Sequence, residues 1–112
     1  MDFDAEDLYL IEVTDKDMTI KDVLVEHERG LAIAIVERIC YAMDNNIKKI
    51  NIARIMTDSI AITLHTSLPN FQESLETNIQ NLIKHEEYEM CAIGKKHLDM
   101  LKEKPNRKYL NI

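Results

Sequence analysis

Two long stripes of apolar residues at three-and-four spacing limit what this chain can fold into. The first runs Ile20, Val23, Leu24, Leu31, Ala34, Ile35, Ile39, Ala42 and Met43, with His27 in the same phase. The second runs Phe71, Leu75, Ile79, Leu82, Ile83, Met90, Ile93, Leu98 and Leu101. Such spacing places side chains on one side of an α-helix, so each stretch predicts a helix with a face to bury. Thr19, with Asp22 three positions on, offers the first helix an N-terminal cap, and Asp44-Asn45-Asn46 offers a polar stop. Gly30 falls inside that helix, and residues 31–36 are apolar on every side, which fits a helix covered on more than one side or a buried strand after Gly30; Leu24 and Ile39 continue the helical phase on both flanks and favour the helix. Pro69 opens the second helix, Gly94 weakens it and Pro105 closes it. Glu86 interrupts its stripe, so it is either one protruding helix or two that meet near His85 to Tyr88.

Between and before these stripes the pattern shortens to that of strands. Leu8 to Val13 carries apolar residues on both faces, predicting a strand covered on both sides, and is followed by the polar turn Thr14 to Asp17. Ile47 to Met56 and Ile60 to Thr66 predict a hairpin through Thr57-Asp58-Ser59. Ile60, Ile62 and Leu64 point one way in the second strand, and Ala61, Thr63 and His65 the other. The first strand changes phase between Ile50 and Ile52 and the pair Ala53 and Ile55, which a bulge or a second buried face near Arg54 would reconcile. The fold class expected is therefore α+β, a small three-stranded mixed or antiparallel sheet with two long helices on one face, in the order β-α-β-β-α.

At 112 residues the chain has the size of one domain, with residues 105–112 expected as a flexible basic C-terminal tail. Hydrophobic residues form 46% of it and only two glycines and two prolines punctuate it, a composition that folds rather than stays disordered. The first residues lack the basic and apolar regions of an export signal, and Cys40 and Cys91 form no short pair. A cytoplasmic protein with reduced thiols is expected, without a membrane role, since no apolar run approaches the length of a bilayer span.

Charge is distributed unevenly. Residues 1–28 hold ten carboxylates against Lys16 and Lys21, whereas residues 95–112 hold six cations against Asp99 and Glu103. The formal net charge of -6 opposes nonspecific binding to a polyanion, and complementary ends favour association between proteins.

Groups that could carry chemistry are scattered. His85, Cys91 and His97 are spaced six apart, which on one straight helix turns successive side chains to different sides, so they cannot share an ion unless the helix bends at Gly94. His27, between Glu26 and Glu28, fits the edge of a core with one hydrogen bond better than a proton acceptor oriented by a carboxylate. His65 shares a strand face with Thr63, with no nucleophile assignable beside it. Glu12, Asp15 and Asp17 supply oxygens for a hard cation, yet at a spacing unlike a calcium loop, and read better as a solvated acidic surface. Gly30 and Gly94 stand alone, so there is no phosphate-cradling loop. No catalytic residue, metal ligand or cofactor is assigned.

The function expected is that of a small intracellular protein-binding or regulatory accessory module rather than an enzyme. It would form a homodimer through the C-terminal helix, using Met90, Ile93, Leu98 and Leu101, and meet a protein partner through Glu12, Asp15 and Asp17. One alternative is a nucleic-acid-associated regulator that uses Lys102, Lys104, Arg107, Lys108 and Tyr109 to meet phosphates and a base. The other is a small metal-dependent or histidine-dependent hydrolase.

Overall fold

A computed structural model describes residues 8–110, and the side chains of residues 8–103. Its elements run β1 (Tyr9–Glu12), α1 (Ile20–Glu26), α2 (Glu28–Asp44), β2 (Lys49–Met56), β3 (Ala61–Ser67), α3 (Leu68–Lys84) and α4 (Tyr88–Leu110). This is an α+β fold with a mixed sheet in the order β1-β2-β3, β1 parallel and β3 antiparallel to β2. The α1–α2 segment is the crossover between the two parallel strands.

The first expected long helix is broken in two, and the second takes the form of two helices that meet near His85 to Tyr88, one of its two expected readings, giving four. The first helix starts as expected: the Thr19 hydroxyl accepts from the Asp22 amide and the Asp22 carboxylate accepts from the Thr19 amide, both at 3.1 Å. Those bonds hold the Asp22 carboxyl below its ordinary value. The break falls at His27 (φ -100°, ψ 20°), between α1 and α2. Tyr9 of β1 explains it. Its hydroxyl lies 3.1 Å from His27 Nδ1, and its ring covers Gly30 so closely that a Cβ there would stand 2.2 Å from the hydroxyl oxygen. Gly30 is needed for this approach, a contact across twenty-one positions that helical periodicity does not register.

The second break lies between Lys84 and Tyr88. Glu86 adopts a left-handed conformation (φ 59°), its amide donates to the Ile83 carbonyl at 3.1 Å, and the Glu87 amide donates to Leu82 at 2.8 Å. This paired capping closes α3 and reverses the chain. Asn46 (φ 57°) closes α2 in the same way, with Ile47 donating to Ala42 at 2.8 Å. Asn tolerates that backbone better than Glu does. Three side-chain contacts tie α2 to the end of α3 and the turn after it. Glu28 Oε1 lies 3.0 Å from Lys84 Nζ and 3.3 Å from His85 Nε2, and Arg29 reaches Glu87 at 3.0 Å. The hydrogen bond from Lys84 leads in holding the Glu28 carboxyl below its ordinary value.

The expectation that Pro105 ends the last helix is corrected, because the helical backbone continues to Leu110. A proline removes one amide bond and crowds the carbonyl four residues back, but its fixed φ is compatible with a helix. The side chains from residue 104 onward lie outside the described residues.

The bulge expected near Arg54 falls slightly earlier, where the β2–β3 register shifts between Asn51 and Ala53. Ile50 before it, Ile52 within it, and Ala53 and Ile55 after it thus all bury. Arg38 of α2, 2% exposed, donates through Nε to the Asn51 carbonyl at that irregularity. All the helices stack on one side of the sheet. α2 touches β1 and β2 below and α3 and α4 above, which is why its middle is apolar all round. The reading of β1 as covered on both faces is therefore corrected. Ile11 is fully buried and Leu8 before the strand is buried too, but Leu10 on the face opposite Ile11 is 58% exposed.

Candidate functional site

The carboxyl ends of β1 and β2 are where a crossover of this kind leaves loops free to carry function. Here the β1–α1 loop and the β2–β3 turn face each other across a cleft of about 450 Å³, whose walls include Asp15, Lys16, Thr57 and Asp58. A second hollow of about 270 Å³ shares Asp15 and adds Glu12, Glu26 and His27. The loop is held by its own bonds, the Asp17 amide donating to Asp15 Oδ1 at 2.9 Å and the Met18 amide to the Asp15 carbonyl at 3.2 Å. Thr57 organises the facing turn, since its hydroxyl accepts from the Ser59 and Ile60 amides. Glu12, Asp15 and Asp17 are all exposed here, so the structure brings the three acidic residues of interest to one end of the sheet.

From that rim extends the outer face of the sheet. Register places Glu12, Met56 and Ala61 in one row across the three strands, and Leu10, Arg54 and Thr63 in the next. Met56 is 42% exposed and Leu10 more so, and with Ala61 they give the face an apolar patch divided by the half-buried Arg54. His65 and Asn51 continue it toward the far end, both exposed.

The C-terminal helix does not present its four apolar residues of interest as one patch. Leu98 is in the core, Met90 and Leu101 are half-buried against it, and only Ile93 of the four is exposed. Gly94 accounts for this, because it lets α4 approach α2 and α3 within contact of Val36 and Ile79. The apolar stripe is thereby spent on the chain's own core. Lys102 is exposed on the same helix, and Lys104, Arg107, Lys108 and Tyr109 have side chains outside the described residues.

The four histidines divide by environment. His27 makes its bond to Tyr9, His65 is exposed on the outer sheet face, and His85 meets Glu28. His97 is the buried one of the four. It is 7% exposed, its Nδ1 donates to the Ile93 carbonyl at 2.9 Å, and its Nε2 lies 2.9 Å from Asp44 Oδ1. Sequence reasoning passed over Arg38, although it shares the helical phase of Leu31, Ile35 and Ala42, and weighed His97 only as a metal ligand, although it shares the phase of Met90, Gly94 and Leu101. Among the described residues, no three His, Cys, Asp or Glu side chains converge as metal ligands.

Both cysteines are buried and free. Burial, aided by the charge of Asp44, pushes the Cys40 thiol up from 9.0 to about 12, which removes it as a nucleophile near neutrality. The folded state thus keeps a proton that the unfolded chain releases. Stability from this group is intact below pH 9.0 and is lost as pH rises toward 12. The expected slope is on the order of 1.4 kcal/mol per pH unit. Urea denaturation of the wild type and of Cys40→Ala across that range checks this, since the variant should lose one such increment of slope.

Comparison with known protein families, curated proteins and solved structures finds no match to this chain. No helix among the described residues is long and apolar enough to cross a membrane.

Proposed function

We propose that this protein is a non-enzymatic binding module of the cytoplasm, an accessory that docks a protein partner on the open face of its sheet. The observation that carries this reading is the exposure of Leu10 and Met56 on a face that no helix covers among the described residues, directly beside the acidic rim of Glu12, Asp15 and Asp17. Apolar centres bordered by charge suit protein interfaces, where desolvation of the centre supplies affinity and the charged border sets orientation and rate. The partner's complementary surface is apolar with lysine or arginine at one edge. An exposed rim of carboxylates repels phosphates, which favours this reading over a nucleic-acid role for the same face.

A photoreactive amino acid at position 56, introduced in the living host, tests it. The expected result is one dominant protein crosslink that disappears when Leu10→Asp is added and weakens with Glu12→Lys and Asp15→Lys together. A photoreactive group at position 80, on the exposed side of α3, serves as control. Identical crosslinks from positions 56 and 80, or nucleic acid recovered from position 56, would defeat the proposal.

A further inference from the structure

We infer that β3 is a self-association edge, where two copies of this chain pair antiparallel and join their sheets into one of six strands. β3 borders the sheet, and among the described residues no strand pairs with its second side. Exposed edges are normally protected by lysines, prolines, bulges or a covering element. The strand Ala61-Ile62-Thr63-Leu64-His65-Thr66-Ser67 itself carries no proline and no acidic, lysine or arginine side chain, and the extra residue of the bulge lies on β2.

The backbone groups available on that edge follow from the existing ladder. Thr57 N–H donates to the Ile60 carbonyl at 2.9 Å at one end, and Leu68 N–H donates to the Lys48 carbonyl at 2.8 Å at the other. In an antiparallel ladder alternate residues face the partner strand, so Ile60, Ile62, Leu64, Thr66 and Leu68 turn their amides and carbonyls toward β2. Ala61, Thr63 and His65 turn theirs outward. A two-fold axis perpendicular to the sheet through Leu64 sets Thr63 opposite His65 of the second copy and His65 opposite its Thr63. Each of these pairs exchanges both backbone bonds. The same register places Ile62 opposite Thr66 and Leu64 beside its own counterpart, so every side chain meets one on the same face.

Two further features select a second copy as the occupant. The chain has a net charge of -6, and self-association is least opposed where the surface is neutral, as this strand is. On the helix side of β3 lies a groove of about 330 Å³ with Ile35, Ile52 and Leu64 in its floor and Glu73 on its α3 wall. Ile35, Ile62 and Leu64 are only half-buried, so a copy across the axis would bring the same apolar shelf against this one. A foreign strand would pair with the edge but has no built-in match to the shelf. The two-fold symmetry uses up the β3 edge of each copy, so pairing through β3 stops at two chains. This association is independent of the partner-binding reading, and leaves the outer faces of both sheets open.

Sedimentation equilibrium from the micromolar to the millimolar range, with native mass spectrometry, tests the inference. Wild type is expected as a dimer. Thr63→Pro deletes an outward amide without touching the β2 ladder, and should weaken dimerisation roughly 100-fold. Thr63→Lys with His65→Lys sets like charges opposite each other twice while keeping two exposed positions polar, and should yield a folded monomer by circular dichroism. Ile93→Glu with Met100→Glu, on the exposed side of α4, should leave the dimer intact. A monomeric wild type at millimolar concentration, a dimer that survives both β3 changes, or a dimer dissolved by the α4 pair would overturn the inference.

Discussion

Phe71→Ala is expected to lower the free energy of unfolding by about 3–5 kcal/mol, a large share of the roughly 5–15 kcal/mol that a domain has in total. Phe71 is fully buried in the first turn of α3, at the junction of four elements. It borders a cavity of about 130 Å³ whose walls come from the end of α2 (Ala42, Met43), the approach to β2 (Ile47) and the second half of α4 (Leu101). Truncation would enlarge this existing cavity, and rigid surroundings cannot collapse to fill it. α2 ends on its backbone cap, Ile47 is tied to Ala42, and Leu68 is tied to Lys48. Phe71→Leu should cost much less because it keeps most of the volume. Equilibrium urea denaturation measures both, and a loss below about 1 kcal/mol for alanine would mean that the junction repacks.

Gly94→Val should be nearly as damaging, by about 3 kcal/mol, although valine forms helices better than glycine does. A Cβ at position 94 would stand 2.9 Å from Val36 Cγ1 and 3.2 Å from Ile79 Cγ1. Val36 is short, branched and fully buried, so it has no room to swing away. The distinguishing sign is coupling. Val36→Ala removes the obstructing methyl, so the double variant should be more stable than the sum of the single losses implies, by about 1–2 kcal/mol. Strict additivity would show that α4 moves away from α2 instead of straining against it. Limited proteolysis within α4 would then rise in Gly94→Val alone.

The periods of apolar residues were enough to read the class of this fold, the hairpin, the cap at Thr19 and the phase change in β2, because each depends on neighbours a few positions apart. The same local logic failed at His27, where the helix breaks for the sake of the Tyr9 ring on a distant strand. It also failed on α4. Met90, Leu98 and Leu101 look like a surplus stripe only while the helix is considered apart from α2 and α3, and Gly94, which reads as a weakness, is the residue that lets the three helices meet.

Of the candidate site, the acidic residues were legible as a group because Glu12, Asp15 and Asp17 lie close in sequence. Their continuity with Leu10 and Met56 was not, since it depends on the register between β1 and β2. By itself, then, the amino-acid sequence determined the element types, the α+β class and the acidic character of the β1–α1 loop, all consequences of short-range periodicity and charge. Which sheet face stays open, which strand edge stays free and which apolar residues remain exposed were decided by tertiary structure alone, because those properties belong to surfaces assembled from residues far apart in the chain.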